Sequence, residues 1–288
     1  MASSTSAMFQ TDLLAGKRIL ITGGGSGLGA AMASRFASLG ASLLLCGRRA
    51  EVLETTAAAL RVDHAGSFSK VSTAVCDVRD AGAVEAMVER GWAEAPIDVL
   101  VNNAAASFIA RSETLSARAA DAILATTLHG AMYATLALGK RWIASGRPGT
   151  VLSILSTSTL TGRAFTVPSA MAKAGLLAMT RSLAVEWGSQ GIRLVAIAPG
   201  PFPTEGSNRQ LNPGERGASA ARAPLNPTGR VGRPPELADL ASFLVSDHAG
   251  YINGEMVTID GGAHLRSSGA EDLLNWTAEQ WAASRPAR

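Results

Sequence analysis

With 288 residues, 47% of them hydrophobic, the chain can bury one large core, and no Pro/Gly/Ser-rich linker divides it. Its 26 basic and 23 acidic residues nearly balance, and the arginines are scattered rather than gathered in a stripe, which argues against a nucleic-acid partner. Cys46 and Cys76 lie in apolar runs with no CxxC or HExxH pattern, so buried thiols are expected and a metal is not.

The first dozen residues are Ser/Thr-rich and carry no basic residue before Lys17, unlike a signal peptide or mitochondrial presequence. No apolar run of the ~18 residues a bilayer span needs is read. The expectation is a cytoplasmic protein without a membrane, with a flexible segment at 1–15 and one domain over 16–265.

The first strand, 18–22, runs into Thr22-Gly23-Gly24-Gly25-Ser26-Gly27-Leu28-Gly29 and then a helical pattern at 30–39. A β-branched strand, a glycine-rich turn and a helix together hold a dinucleotide pyrophosphate. Glycines let the backbone approach the phosphates, and the unpaired N–H groups at the helix start attract their charge. The second strand, 42–46, ends in Gly47-Arg48-Arg49 before a helix at 50–62. A carboxylate there would bind the ribose hydroxyls; two guanidiniums instead suit a 2′-phosphate and predict NADP(H). The plainer reading is that both arginines begin a solvated helix.

The third strand, 72–76, is followed by Asp77 and Val78 and a helix at 81–92, whose N-cap is either Asp77 or Asp80. The fourth, 99–102, leads into Asn102-Asn103-Ala104-Ala105, where Asn103 suits a turn as well as a ligand contact. A single long helix is read over 117–145, with His129 and Tyr133 one turn apart. The fifth strand, 150–155, ends at Ser156, and a helix at 169–188 carries Ser169 and Lys173. An i, i+4 pair shares one helix face, so both point into the same site. The sixth strand, 193–198, leads into Pro199-Gly200-Pro201-Phe202-Pro203-Thr204. The Pro/Gly/Arg-rich stretch 201–232 is long for a loop and predicts a mobile flap over the substrate. A helix at 235–246, a strand at 256–260 and an extension at 266–288 complete the chain.

Apolar strands alternating with helices predict an α/β fold, a doubly wound parallel sheet of seven strands with helices on both faces. Its ligand crevice lies at the carboxyl ends of the strands.

The T-G-x-x-x-G-x-G turn, Asp77-Val78, Asn102-Asn103-Ala104-Ala105, the Lys173 helix and the Pro199–Thr204 string together resemble the short-chain dehydrogenase/reductase family, in its motif order over nearly the whole chain. Within it the strings NNAAASF, VPSAMAKAG, APGPFPTEG and YINGEMVTIDGG are most similar to 2,4-dienoyl-CoA reductases. The resemblance implies that the glycine turn binds the coenzyme through Thr22, Gly23, Gly25, Ser26, Gly27, Leu28 and Gly29. It implies that Asp77 accepts from the adenine amino group while Val78 packs on the ring, and that Asn103 and Ala104 pass beside the ribose. Lys173 would donate to the nicotinamide ribose, and the turn at Pro199 and Gly200 would lie over the nicotinamide, with Thr204 donating to the carboxamide or the pyrophosphate.

The family's catalytic tyrosine is replaced by Ser169, a much poorer proton donor, as in the dienoyl-CoA reductase subgroup. The mitochondrial-type members carry a tyrosine at the position of Ser158, which this chain lacks. Ser156 falls where the family has its substrate-orienting serine, or it is a plain strand-end hydroxyl. His129 falls where the family usually has an asparagine holding a proton-relay water; it either serves catalysis or lies at a helix interface. Arg111, Arg163 and Arg209 fall in rim loops where CoA phosphates would sit. The expected activity is NADPH-dependent reduction of an unsaturated acyl-CoA, most directly 2,4-dienoyl-CoA to 3-enoyl-CoA, in a homo-oligomer, commonly a tetramer. The alternatives are another carbonyl substrate, or a catalytically weak NADP(H)-binding protein.

Overall fold

In the first strand, β1 (Arg18–Thr22), Ile19 and Ile21 turn to one face of the sheet and Leu20 to the other, the period-two alternation of extended backbone. A computed structural model describes residues 9–64, 70–204, 226–266, 273 and 276–283. β2 (Ser42–Gly47) and β4 (Val99–Asn102) repeat the alternation, Leu43, Leu45, Val99 and Val101 against Leu44 and Leu100. With β3 (Val71–Val75), β5 (Gly149–Ile154), β6 (Ile192–Pro199) and β7 (Met256–Ile259) they form one sheet in the order β3-β2-β1-β4-β5-β6-β7. Every pairing is parallel, as strands buried on both faces require.

One apolar layer is covered by α1 (Gly27–Ser38), α2 (Ala50–Asp63) and α8 (Pro234–Val245), through side chains such as Phe36, Leu53 and Leu237. The other is covered by α3 (Ala81–Glu94), α5 (Gly130–Ser145) and α7 (Val167–Trp187), through Met87, Leu138 and Leu183. Each fully buried side chain of this size contributes roughly 1.5–3 kcal/mol. Cys46 and Cys76 join the second layer as free, buried thiols, and mutual contact followed by burial pushes the Cys46 thiol up.

The strand order reverses between β1 and β4, so a crevice opens outside their carboxyl ends. Element ends differ from the sequence reading by a few residues. The larger difference concerns 117–145. It is α4 (Ala117–Leu124), a π-helical turn at Ala125–His129, and α5. The wider turn shifts which residues share a face.

This run is long and apolar enough to cross a bilayer by length and composition, contrary to the expectation above. Half of its most apolar window is buried inside the fold, and it packs against α3 and α7. A short α6 (Ser158–Thr161), unforeseen in the sequence, follows β5. In the extension, α9 (Ala278–Ala283) begins with Thr277 and Gln280 bonded reciprocally. Residues 205–225 of the expected flap lie outside the described residues.

Candidate active site

Thr22 is the junction on which the glycine-turn end of the site is built. Its buried hydroxyl donates to the Val101 carbonyl at 3.2 Å and accepts from the backbone N–H of Asn103 and Ala104 at 3.0 and 3.1 Å. All three bonding positions of a hydroxyl are thereby filled, tying β1 to β4 where the strand order reverses. The Asn103 amide donates to the carbonyls of Thr22 and Gly23 at 3.0 and 3.2 Å, holding the turn from behind. Gly23 adopts φ +66°, and a Cβ there would fall 3.0 Å from the Asn103 amide nitrogen. A Cβ at Gly29 would fall 2.3 Å from the Gly23 carbonyl oxygen, so only glycine lets α1 start this close to the turn.

A cavity of about 790 Å³ opens in front of this turn. Gly23, Gly25, Ser26, Gly27 and Leu28 line it, as do Arg48, Arg49, Asp77, Val78, Asn103 and Ala104. Ser26 makes no side-chain cap bond, and the first turn of α1 has no acidic residue, so nothing there opposes an anion. Arg48 and Arg49 are exposed on the same wall. Asp80, not Asp77, caps α3, accepting from the Ala83 N–H at 3.0 Å. The Asp77 carboxylate is instead held by Arg79 at 2.5 Å, which keeps its pKa below the ordinary value. A glycine-walled cradle, uncompensated helix N–H groups and two guanidiniums fit a phosphorylated dinucleotide.

Away from the glycine turn, the cavity is lined by Ser156, Ser169, Lys173, Pro199 and Gly200, whereas Thr204 sits against the turn itself, 3.5 Å from where a Cβ on Gly27 would fall. Lys173 sits on the inner face of α7, with its ammonium donating to the Ile154 carbonyl at the end of β5. Burial lowers its pKa from 10.5 to about 8, because water no longer stabilises the charge. Ser156 accepts from the Ser158 N–H at 3.3 Å, and Ser158 and Thr157 line the cavity beside it. A cation poised near neutrality beside a row of hydroxyls can hold an oxyanion or a sugar hydroxyl.

The family model described as Enoyl-(Acyl carrier protein) reductase matches residues 23–264, from the glycine turn to the loop after β7. The chain belongs to the short-chain dehydrogenase/reductase family. Members of this family bind a nicotinamide coenzyme, and the chain is an oxidoreductase of the same kind. It is 40% identical to a probable 2,4-dienoyl-CoA reductase of Caenorhabditis elegans, over 96% of this chain and 90% of that protein. It is 41% identical to a probable 2,4-dienoyl-CoA reductase of Bacillus subtilis, over 86% of this chain and 97% of that one. Among solved structures, gluconate 5-dehydrogenase from Burkholderia cenocepacia, in complex with NADP and tartrate, superposes with a TM-score of 0.82 at 30% identity. That match covers 89% of this chain and 99% of the other.

Three expected residues of this short-chain dehydrogenase/reductase do not face the cavity. Thr22 and Gly29 stand behind its wall and shape it. His129 is exposed on the outside of the π turn, its ring 6.2 Å from that of Tyr133. An uninterrupted α-helix through 117–145 would count turns differently; here Thr126 lines the cavity instead. Arg163 does line the cavity, whereas Arg111 is exposed and paired with Glu113, and Arg209 lies outside the described residues. Neither tyrosine of the chain lines it.

Sequence reasoning missed His264 and Arg266, which line the cavity from the loop after β7. The DGG turn preceding His264 was their only signal. Among the described residues, no group of three or more His, Cys, Asp or Glu side chains could hold a metal ion.

Proposed function

We propose that this enzyme uses NADPH to reduce an unsaturated acyl-CoA thioester, converting 2,4-dienoyl-CoA to 3-enoyl-CoA. The observation that carries the reading is the pair Ser169 and Lys173 on one cavity wall, with no tyrosine among the lining residues. Alcohol–ketone interconversion needs an acid that protonates an alkoxide, and a serine is a poor one. A conjugated thioester places its developing charge on the thioester oxygen, where hydrogen-bond donors suffice. The names of the two relatives near 40% identity support the same substrate class.

Each residue has a role in this reading. The N–H groups of the Gly23–Leu28 turn hold the pyrophosphate, and Arg48 and Arg49 clasp the 2′-phosphate that distinguishes NADPH from NADH. Asp77 and Val78 hold the adenine, while Asn103 and Ala104 pass beside the ribose. Lys173 donates to the nicotinamide ribose, and Pro199, Gly200 and Thr204 close over that ring. When bound, the coenzyme supplies the hydride. Ser156 and Ser169 donate to the thioester oxygen and fix the plane of the conjugated chain. Arg163 offers its charge to a CoA phosphate.

The gluconate 5-dehydrogenase likeness favours a hydroxyl or ketone substrate as the second reading, and the missing tyrosine counts against it. A coenzyme-binding protein with little turnover is the third. Mixing the purified protein with NADPH and a 2,4-dienoyl-CoA, and following both chromophores, separates the three. Loss of both, with a 3-enoyl-CoA product, is the expected outcome. Tight NADPH binding without oxidation by dienoyl, enoyl or keto substrates would leave only the third.

Self-association belongs to the same proposal. Leu136, Ile143 and Val185 are apolar and exposed on α5 and α7, and a tetramer would cover them. Light scattering on the purified protein tests it; a monomer at micromolar concentration removes it.

A further inference from the structure

The loop after β7 carries a histidine that the proposed reaction has not yet used. Asp260 follows β7 directly, and its side chain is 7% exposed as a residue, packed against the Pro199-Gly200 turn. The Gly200 N–H donates to the Ile259 carbonyl at 3.0 Å, and a Cβ at Gly200 would fall 2.6 Å from that of Asp260. The tight approach seats the carboxylate beside the turn that the proposed function lays over the nicotinamide.

Three hydrogen bonds converge on this carboxylate. The Gly262 N–H donates at 2.9 Å, the His264 N–H at 2.7 Å, and the ring Nδ1 of His264 lies 2.8 Å from it. A carboxylate accepts, so Nδ1 carries hydrogen and the other ring nitrogen, Nε2, is left to act. Gly261 and Gly262 take φ +63° and +83°, which lets the chain double back and bring His264 over its own carboxylate. The ring is about one-fifth exposed, at 21%, and His264 lines the same cavity as Lys173 and Ser169. The charged groups that line the cavity with it are Arg48, Arg49, Asp77, Arg163, Lys173 and Arg266; Asp260 is the carboxylate that its ring touches.

We infer that His264, oriented by Asp260, is the proton donor of this site, a deduction that rests on the reductase reading above. Reduction adds the coenzyme's hydride to one carbon of the conjugated system and a proton to another. The proton leaves Nε2 of the imidazolium, so that N–H bond breaks as the C–H bond forms. The electron pair held on the thioester oxygen returns to the carbon chain, and the neutral imidazole regains its proton from solvent. Asp260 stabilises the imidazolium while it carries the charge, as the carboxylate of a hydrolytic triad does for its histidine. The other lining groups are poorer donors. Serine and threonine hydroxyls are weak acids, Lys173 already donates to a backbone carbonyl, and His129 faces away.

Comparison of His264→Ala and Asp260→Asn with the parent enzyme tests this. His264→Ala should bind NADPH within twofold of the parent, by coenzyme fluorescence, while turnover falls by about a hundredfold. Added imidazole should restore turnover in His264→Ala, and pyrazole, too weak a base, should not. In the coenzyme-free protein, nitrogen NMR should find His264 protonated on Nδ1, and Asp260→Asn should release it to the other tautomer. Turnover of His264→Ala within threefold of the parent, or no rescue by imidazole, overturns the inference. A parent that oxidises NADPH with a ketone but not with a dienoyl-CoA sinks the substrate reading alone, because the rescue comparison then runs on the ketone. A parent that reduces none of these substrates overturns both.

Discussion

The two ends of the cavity are built by different means. At the glycine-turn end, the wall facing β1 is backbone: glycines without side chains, N–H groups of one helix, and a hydroxyl and an amide that lock β1 to β4 from behind. At the other end, the wall is side chains delivered by three separate segments: Ser156 after β5, Ser169 and Lys173 on α7, and His264 after β7. At Gly29 the backbone leaves no room for an added atom, whereas a side-chain wall can change its chemistry one residue at a time.

The most disruptive test of this contrast is Gly29→Ala. Its methyl would meet the Gly23 carbonyl oxygen at 2.3 Å, and backbone cannot rotate away as a side chain does. Destabilisation of about 2–4 kcal/mol and loss of NADPH binding are expected, read by thermal melting and fluorescence titration. A variant that melts and binds like the parent would show that the coenzyme end is more plastic than its contacts imply.

At the substrate end, Lys173→Met should do the reverse, removing function while sparing the fold. Turnover should fall by at least about a hundredfold. Stability should rise, because a pKa lowered from 10.5 to about 8 corresponds to roughly 3 kcal/mol of desolvation. The lost bond to the Ile154 carbonyl offsets about 1 kcal/mol of that gain. Between pH 8 and 10.5 the unfolded parent binds the proton that the folded one has released. The parent's stability relative to Lys173→Met therefore rises with pH through that window, and the gap between them narrows. In the same enzyme, coenzyme affinity should decline as pH rises through about 8, where the ammonium is lost. A pH-independent gap in denaturant melts would take the charge off Lys173.

Replacing Arg48 and Arg49 together by Ala should weaken NADPH binding by about 10–100-fold and leave NADH binding unchanged. Equal losses for both coenzymes would mean that the arginines supply general attraction, not selection. The smallest effect is expected for His129→Asn, because the ring lies outside the cavity. Steady-state rates should stay within twofold, and a larger fall would return the π turn to the reaction.

The readability of the chain follows the same division. All seven strands were legible because each is a short apolar run bounded by turn residues, and parallel pairing buries both faces. Glycine spacing revealed the coenzyme turn, since only backbone sterics require glycine there. Its inner logic was less visible: Thr22 and Gly29 belong to the motif yet serve behind the wall. Lys173 and Ser169 were picked out by resemblance to the family's Y-x-x-x-K, and their i, i+4 spacing keeps them on one helix face lining the cavity.

His129 was proposed from its match to the family's asparagine position, and its ring is instead exposed outside the cavity, at the end of a π turn that the resemblance does not reveal. His264 was passed over because a histidine after a glycine pair reads as loop. Nothing local announces that β7 will end beside the turn after β6.

From sequence alone came the class of fold, the glycine turn at the crevice and the absence of the usual tyrosine. These depend on near-neighbour patterns, alternation, helical spacing and glycine in tight turns, which act over a few residues. Only the tertiary structure decided which polar side chains share the cavity. That depends on parallel strand order, which brings Asp260 against Gly200 across sixty residues of chain, and on helix phase, which no count of residues could supply.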